Sequence, residues 1–292
     1  MGELFALSAA TCWAGSSIVF TITSRQLGSV TVNRSRLVLA LLLVTLINGL
    51  RLGQLFPSMS LEAAAWLLLS GFIGFFLGDA MLFEAYVHIG ASHGMLLMTL
   101  APIFSAVIGW LFLSEILNIW QILAILLTLA GIAMVILFSP KKNGKRSLSA
   151  FGVTMGVGAS LGQAVGLFFS KKGLLLGVPP FEANQMRLFA GAVSILVWGV
   201  LRRQLKEDRR KLMTKKVWHL IGAGTLLGPV FGVLFSLLAV QKTHMALAAT
   251  LMGLTPVLML PLMHYGFAER ISLSALFGTV IAVSGAALLF WL

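Results

Sequence analysis

Asp79 is the residue whose type and position demand most explanation. It lies inside an apolar stretch running from about residue 62 to 87, roughly eight residues, or about 12 Å at 1.5 Å per residue, from its C-terminal end. If that stretch crosses a bilayer, an ionised carboxylate there costs about 2.5–3.5 kcal/mol. Two reliefs exist: taking up a proton or pairing with a cation. Arg36 stands about a turn into another apolar stretch that starts from the same side, and its long side chain could reach Asp79. Such a pair could couple charge to movement, or could only fix how two helices pack. Glu84 follows five residues on, about 500° around a helix, so it does not share the face of Asp79.

Polar groups of a second kind surround two prolines. Pro102 and Pro256 fall near the middle of apolar stretches, where each deletes one backbone hydrogen bond and frees a carbonyl, those of Met98 and Met252. Freed groups at membrane depth are tolerated where they face protein or a wet cavity, so cavity lining is favoured over simple kinking. Thr99, Thr250 and Thr255 lie beside them and could offer hydroxyls to a ligand. Trp13, Ser16, Ser17 and Gln163 are weaker lining candidates, because an inward polar residue can equally bond a neighbouring helix. Arg187 stands at a mouth, where it could attract an anionic group or extend to lipid headgroups. His88 and His93 are five apart near a helix end, a poor metal pair. No zincin, nucleophile-elbow or phosphate-loop pattern and no Cys/His cluster with metal spacing occurs, so the sequence asks for no catalytic residue, metal or cofactor.

The elements that must position these residues are long and apolar. Of the 292 residues 59% are apolar and only 10% charged, at a mean hydropathy of +0.98, so lipid is the natural solvent. Cys12 is the sole cysteine and leaves no disulfide framework. Ten spans are expected, at about 3–24, 32–50, 62–87, 91–113, 118–138, 149–170, 181–201, 216–241, 244–267 and 271–291. The first lacks a positively charged leader and is read as a retained helix. The net charge of +12 reads as a topology signal rather than a nucleic-acid surface. All but five of the 21 Lys and Arg fall on loops after odd-numbered spans, the five being Arg51, Lys171, Lys172, Arg187 and Lys242. This bias predicts odd loops in the cytoplasm and both termini outside. Arg202 to Lys216 then forms a charged cytoplasmic loop.

The chain also repeats itself. Gly74, Gly78, Ala85, Met98, Pro102 and Glu115 match Gly228, Gly232, Ala239, Met252, Pro256 and Glu269 at a constant offset of 154 residues. Asn33 and Arg36 match Asn184 and Arg187 at a slightly different offset, and small residues recur every fourth position at Ala6, Ala10 and Ala14 and at Gly158, Gly162 and Gly166. The division is residues 1–139, a Pro/Gly/Lys linker at 140–148, and 149–292, with five spans in each half. An odd number of spans turns the second half upside down, so the expected fold is an all-α membrane protein of two inverted five-helix repeats, an architecture many alternating-access carriers share. At the places of Asp79 and Glu84 the second half has Val233 and Leu238, so the acid is confined to one half.

The stretches G-D-A-M-L-F-E-A-Y from Gly78, I-G-A-S-H-G from Ile89, L-x-P-I-F-S-A-V from Leu100 and F-L-S-E ending at Glu115 resemble the EamA-domain family of the drug/metabolite transporter superfamily. So do A-A-T-L-M-G-L-T-P-V-L-M-L-P from Ala248 and F-A-E-R ending at Arg270. The likeness spans two tandem domains and almost the whole chain. It implies a ten-helix secondary transporter whose spans 1, 3, 4, 6, 8 and 9 mainly line a central cavity while 5 and 10 stay peripheral. It further implies export of amino acids, metabolites or drugs, or exchange of phosphorylated sugars, and an Arg opening the second helix of each domain, where Arg36 and Arg187 fall. Two departures stand out. Many members are drawn with cytoplasmic termini, and Ile116 stands where a basic residue often follows the Glu, whereas Arg270 keeps it. Glu115 and Glu269 are expected to cap the helix that follows each.

The reading is a secondary carrier, an exporter by the family's habit, of small organic metabolites or drugs in the plasma membrane, with a proton as one coupling ion the acid allows. Its partners are a small-molecule substrate and the lipid bilayer, not nucleic acid; the sequence leaves the oligomeric state open and is compatible with a monomer. A lipid-linked flippase or polytopic membrane enzyme is the alternative; the first needs a lateral opening and the second a converging catalytic set.

Overall fold

A computed structural model describes residues 1–89, 91–138, 149–214, 217–267 and 272–292, with side chains except at 25, 91–93, 214, 263 and 265–267. The linker 140–148, Lys215, Lys216, Glu269 and Arg270, and the side chains of Arg25 and His93, lie outside the described residues.

The first half contains α1 (Gly2–Leu27), α2 (Ser29–Leu52), α3 (Leu61–Ile89), α4 (Ala91–Met98, then Ala101–Leu113) and α5 (Ile119–Phe138). The second contains α6 (Ala150–Leu175), α7 (Pro180–Leu201), a short α8 (Leu205–Thr214), α9 (Trp218–Lys242), α10 (Met245–Met252, then Thr255–Phe267) and α11 (Leu273–Trp291). All but α8 contain a stretch long and apolar enough to span a bilayer, ten among the described residues. Local chemistry sets their ends. Ser60, Ser149 and Ser272 accept backbone N–H bonds at the starts of α3, α6 and α11. Gly28, at φ 89°, reverses the chain between α1 and α2 in a single residue.

The inversion of the halves is visible where equivalent helices meet. Helix α2 packs against its counterpart α7 with Arg34 near Ile195 and Asn48 near Gln185, so the two run antiparallel. The same holds for α5 and α11, where bare glycine surfaces bring Gly131 against Gly278 and Ala282, and Gly285 against Thr128. The remaining contacts are reciprocal. Helix α3 packs on α6 and α7, and its counterpart α9 packs on α1 and α2.

Helices α3 and α9 each contain a wide, π-helical turn, at Phe72–Gly78 and Leu226–Gly232, which repeat at the 154-residue offset. Sequence periodicity did not indicate either. Such turns insert one residue into the helical register and often mark functional positions. Asp79 follows the first turn directly, and Val233 the second.

The segment read from sequence as a charged loop, Arg202 to Lys216, instead contains α8. Two things stabilise it as a helix: Lys211 pairs with Glu207 one turn away at 2.8 Å, and Asp208 anchors it to the bundle. Lys211 also holds the exposed Glu207 carboxyl below its ordinary range. Asp208 pairs with buried Arg34 and accepts from Thr31 Oγ1 at 2.7 Å, while Arg34 also donates to Gln204 and to the Ile195 carbonyl.

Candidate functional site

Between the halves lies a cavity of about 320 Å³. Its walls come from α1 to α7, α9 and α10: α5, expected to stay peripheral, contributes Leu129 and Ile132, while α2 adds Arg36 and Leu37 and α7 adds Arg187. Trp13, Ser16 and Ser17 of α1 line it, with Met98 and Thr99 of α4, Gln163 of α6 and Met252 and Thr255 of α10. Pro102 and Pro256 line it too, as do Arg36, Asp79 and Arg187. Sequence reasoning passed over Phe20, Phe75, Tyr86, Pro229 and Ser236, which line it as well. The aromatic side chains among them are indistinguishable from ordinary core residues in a chain this apolar.

One expected lining residue belongs elsewhere. Thr250 is fully buried away from the cavity, and its hydroxyl donates to the Ala246 carbonyl at 2.8 Å. It lies six residues before Pro256, on a part of α10 that packs into the core. The other threonines also spend their hydroxyls within their own helices. Thr99 donates to Leu96 at 2.6 Å, and Thr255 donates at 2.8 Å to the Met252 carbonyl that Pro256 frees. The break in each helix is therefore partly closed by side-chain or tight-turn bonds rather than left wholly for a solute.

Asp79 accepts from Arg36 Nη2 at 2.6 Å, and Arg36 Nε donates to Asn33 Oδ1 at 2.7 Å. The Arg36 guanidinium also rests 5.3 Å from the centre of the Phe20 ring. Both partners keep about a fifth of their side-chain surface exposed. Glu84 lies outside the cavity, exposed, with His88 3.6 Å away.

Arg187 departs from the mouth position expected of it. It is 3% exposed and faces the cavity, so it does not extend to headgroups. The cause is a close crossing of α3 and α7: Gly71 has no side chain, so the α7 backbone at Arg187 lies directly against it. The guanidinium stacks over Phe75 with 4.6 Å to the ring centre, and Nε has no hydrogen-bond partner among the described residues.

The two ends of the cavity differ. On the face bearing the loops after even-numbered spans, Met245–Met252 is buried throughout. Its counterpart at the basic face is half-buried from Met95 to Met98. Glu115 helps close the buried end. It was expected to cap the helix after it, α5; instead Ser114, in a left-handed turn, folds it back over Gly109. There it pairs with Lys171 of α6 and accepts from the Met245 backbone N–H at 2.7 Å, while Lys171 donates to the Thr243 carbonyl at 2.8 Å. The carboxylate therefore caps α10, a helix of the other half, and ties both halves at that mouth.

Ten spans in two inverted halves around a largely apolar cavity that holds three charged side chains define the build of a membrane solute carrier. The chain belongs to the EamA-like transporter family, whose model matches residues 1–137 and 150–291. It is a multi-pass membrane protein and a small-molecule transporter of the drug/metabolite type. Among solved structures 29 chains match; one, a protein crystal structure, has a TM-score of 0.75 at 16% identity over 98% of this chain and 95% of that one, a likeness of fold. No curated protein matches the sequence.

Proposed function

We propose that this chain is a secondary transporter that exports small organic metabolites or drugs by alternating access, with Asp79 as the group that couples transport to protons. The observation that carries the reading is the Asp79–Arg36 pair inside a cavity between inverted halves, joined at one mouth by the Glu115–Lys171 contact. Protonating Asp79 removes the charge Arg36 is paired with, giving the site two electrostatic states. Opening the Glu115 mouth breaks contacts that span the halves, so access from one side is exchanged for access from the other. Trp13, Ser16, Ser17, Met98, Gln163 and Met252 contact the solute in this scheme, and Pro102 and Pro256 mark where α4 and α10 bend. The export direction is taken from the family resemblance. Residence in the plasma membrane with both termini outside, and the division at 140–148, belong to the same reading; a reporter fused to either terminus tests the orientation.

The decisive measurement is uptake and efflux in proteoliposomes against amino acids, nucleobases and organic acids and amines, with and without a pH gradient. Wild-type protein is expected to accumulate a solute against its concentration when a gradient is imposed. Asp79→Asn should abolish that accumulation and leave solute exchange at zero gradient. Unchanged gradient-driven accumulation in Asp79→Asn removes Asp79 from the coupling step.

A further inference from the structure

We propose that the cavity takes its solute as a monocarboxylate with an apolar body, and that Arg187 is the residue that holds the carboxylate. The inference rests on the carrier reading for the role of the cavity, but its own evidence is the charge of the walls. Three lining residues are charged: Asp79, Arg36 and Arg187. Asp79 and Arg36 neutralise each other in a direct contact. Arg187 has no direct ion pair among the described residues and only shares the field of the same Asp79 carboxylate. A guanidinium stays protonated in proteins, and a buried cation whose nearest counter-charge is already paired is unfavourable. The free cavity therefore has a surplus of one positive charge, which one carboxylate removes.

Geometry favours the same ligand. Arg187 is 97% removed from solvent, with an unpartnered Nε and with its face held on Phe75. Its Nη2 and the amide of Gln163 converge over Gly74, where a methyl group would stand 3.7 Å from the first and 3.8 Å from Gln163 Oε1. Gly74, packed on Gly166 of α6, lets these two cavity-lining side chains come together: a planar donor fork beside a neutral amide, a combination suited to a carboxylate. Trp13, Met98 and Met252 supply apolar surface for the rest of the molecule. A cationic solute would have to displace Arg36 from Asp79 while lying in the field of Arg187, so amines are disfavoured.

The test uses purified full-length protein in lipid nanodiscs, with Trp13 fluorescence reporting occupancy and Trp13→Phe as the optical blank. Phenylacetate, cyclohexylacetate and hexanoate are each titrated beside the matching amide, and phenethylamine serves as the cation. At least one carboxylate should bind about tenfold or more tightly than its amide, and phenethylamine should bind more weakly than phenylacetate. Arg187→Gln should erase the preference, and Arg187→Lys should keep part of it. Gln163→Leu, which removes the cavity-lining amide beside the Arg187 fork, provides a second variant in case Arg187→Gln does not fold: it should weaken carboxylate binding more than amide binding. Amides that bind as tightly as every carboxylate, an absence of carboxylate binding, or a preference that survives Arg187→Gln overturns the proposal. Proteoliposome flux separates this from the carrier reading. Arg187-dependent binding without flux of any solute leaves the site and sinks the carrier; flux of amines or neutral solutes without a carboxylate preference does the reverse.

Discussion

Helices α3 and α9 occupy equivalent places in the two halves, yet they perform different tasks. Both carry a π-helical turn at the same register and both present glycines to a partner helix. Helix α3 lays Gly74 and Gly78 against glycines of α6, Gly166 and Gly162. Helix α9 lays Gly228 and Gly232 against Ser16, Phe20 and Trp13 of α1. The first contact is backbone on backbone, and the second is a glycine notch filled by a large side chain. The chemistry differs as well: α3 brings Asp79 where α9 brings Val233, while α2 and α7 each bring one arginine. Duplication has thus kept the cations in both halves and left the acid in one. An inverted repeat can preserve its backbone symmetry while its electrostatics become one-sided, because packing depends on small residues at crossings and charge depends on single side chains.

The largest effect on stability is expected at the mouth where the halves are joined. Lys171→Met leaves Glu115 buried without its cation, and removing one partner of a buried pair costs about 3–5 kcal/mol. Thermal unfolding in detergent should show a pronounced fall, and combining it with Glu115→Gln should recover part of the loss. A double variant no more stable than the single would mean that the pair does not act as a unit.

The next substitution restores the missing symmetry. Val233→Asp places a carboxylate on α9 where α3 has Asp79, in a helix that packs against α7. If Arg187 takes it as a partner, as Arg36 takes Asp79, the cavity loses its surplus charge. Carboxylate affinity in the fluorescence titration should then fall about tenfold or more, with amide binding little changed. An unaltered carboxylate preference would show that the equivalence of the two helices does not extend to the placing of charge.

The doubling, the ten spans and the inversion were legible because apolar length, an odd span count and glycine and proline spacing all act locally or by simple counting. The contact between Asp79 and Arg36 was accessible to depth arithmetic along two helices. The partners of Glu115 were not, because Met245 is 130 residues away and is brought near only by packing between the halves. Arg187 falls at a mouth in the sequence reading for a related reason: its helical position is clear, but its burial depends on a close crossing of α3 and α7 at Gly71. Thr250 was misjudged because nearness to Pro256 in sequence does not specify a helix face. The π-helical turns left no periodic signal, since Gly74 and Gly78 read equally well as helix-packing residues.

A smaller test compares equivalent glycines directly. A methyl group at Gly232 would lie 2.5 Å from Trp13 Nε1 and 2.9 Å from the Leu227 carbonyl, whereas at Gly78 the nearest atom, the Ile73 carbonyl oxygen, is 3.2 Å away. Gly232→Ala is therefore expected to cost about 1–3 kcal/mol as α1 and α9 separate. Gly78→Ala needs a shift of only a few tenths of an ångström and recovers up to about 1 kcal/mol of helix propensity, so its net cost is smaller. The difference has a functional side, because the Trp13 ring in the Gly232 notch is also a cavity wall. Thermal unfolding and Trp13 fluorescence measured on the same samples should rank Gly232→Ala below Gly78→Ala in stability and shift the Trp13 signal only in the former. Equal losses from both variants would mean that α1 and α6 yield alike, and that the side-chain-filled notch is no stiffer than the glycine-on-glycine crossing.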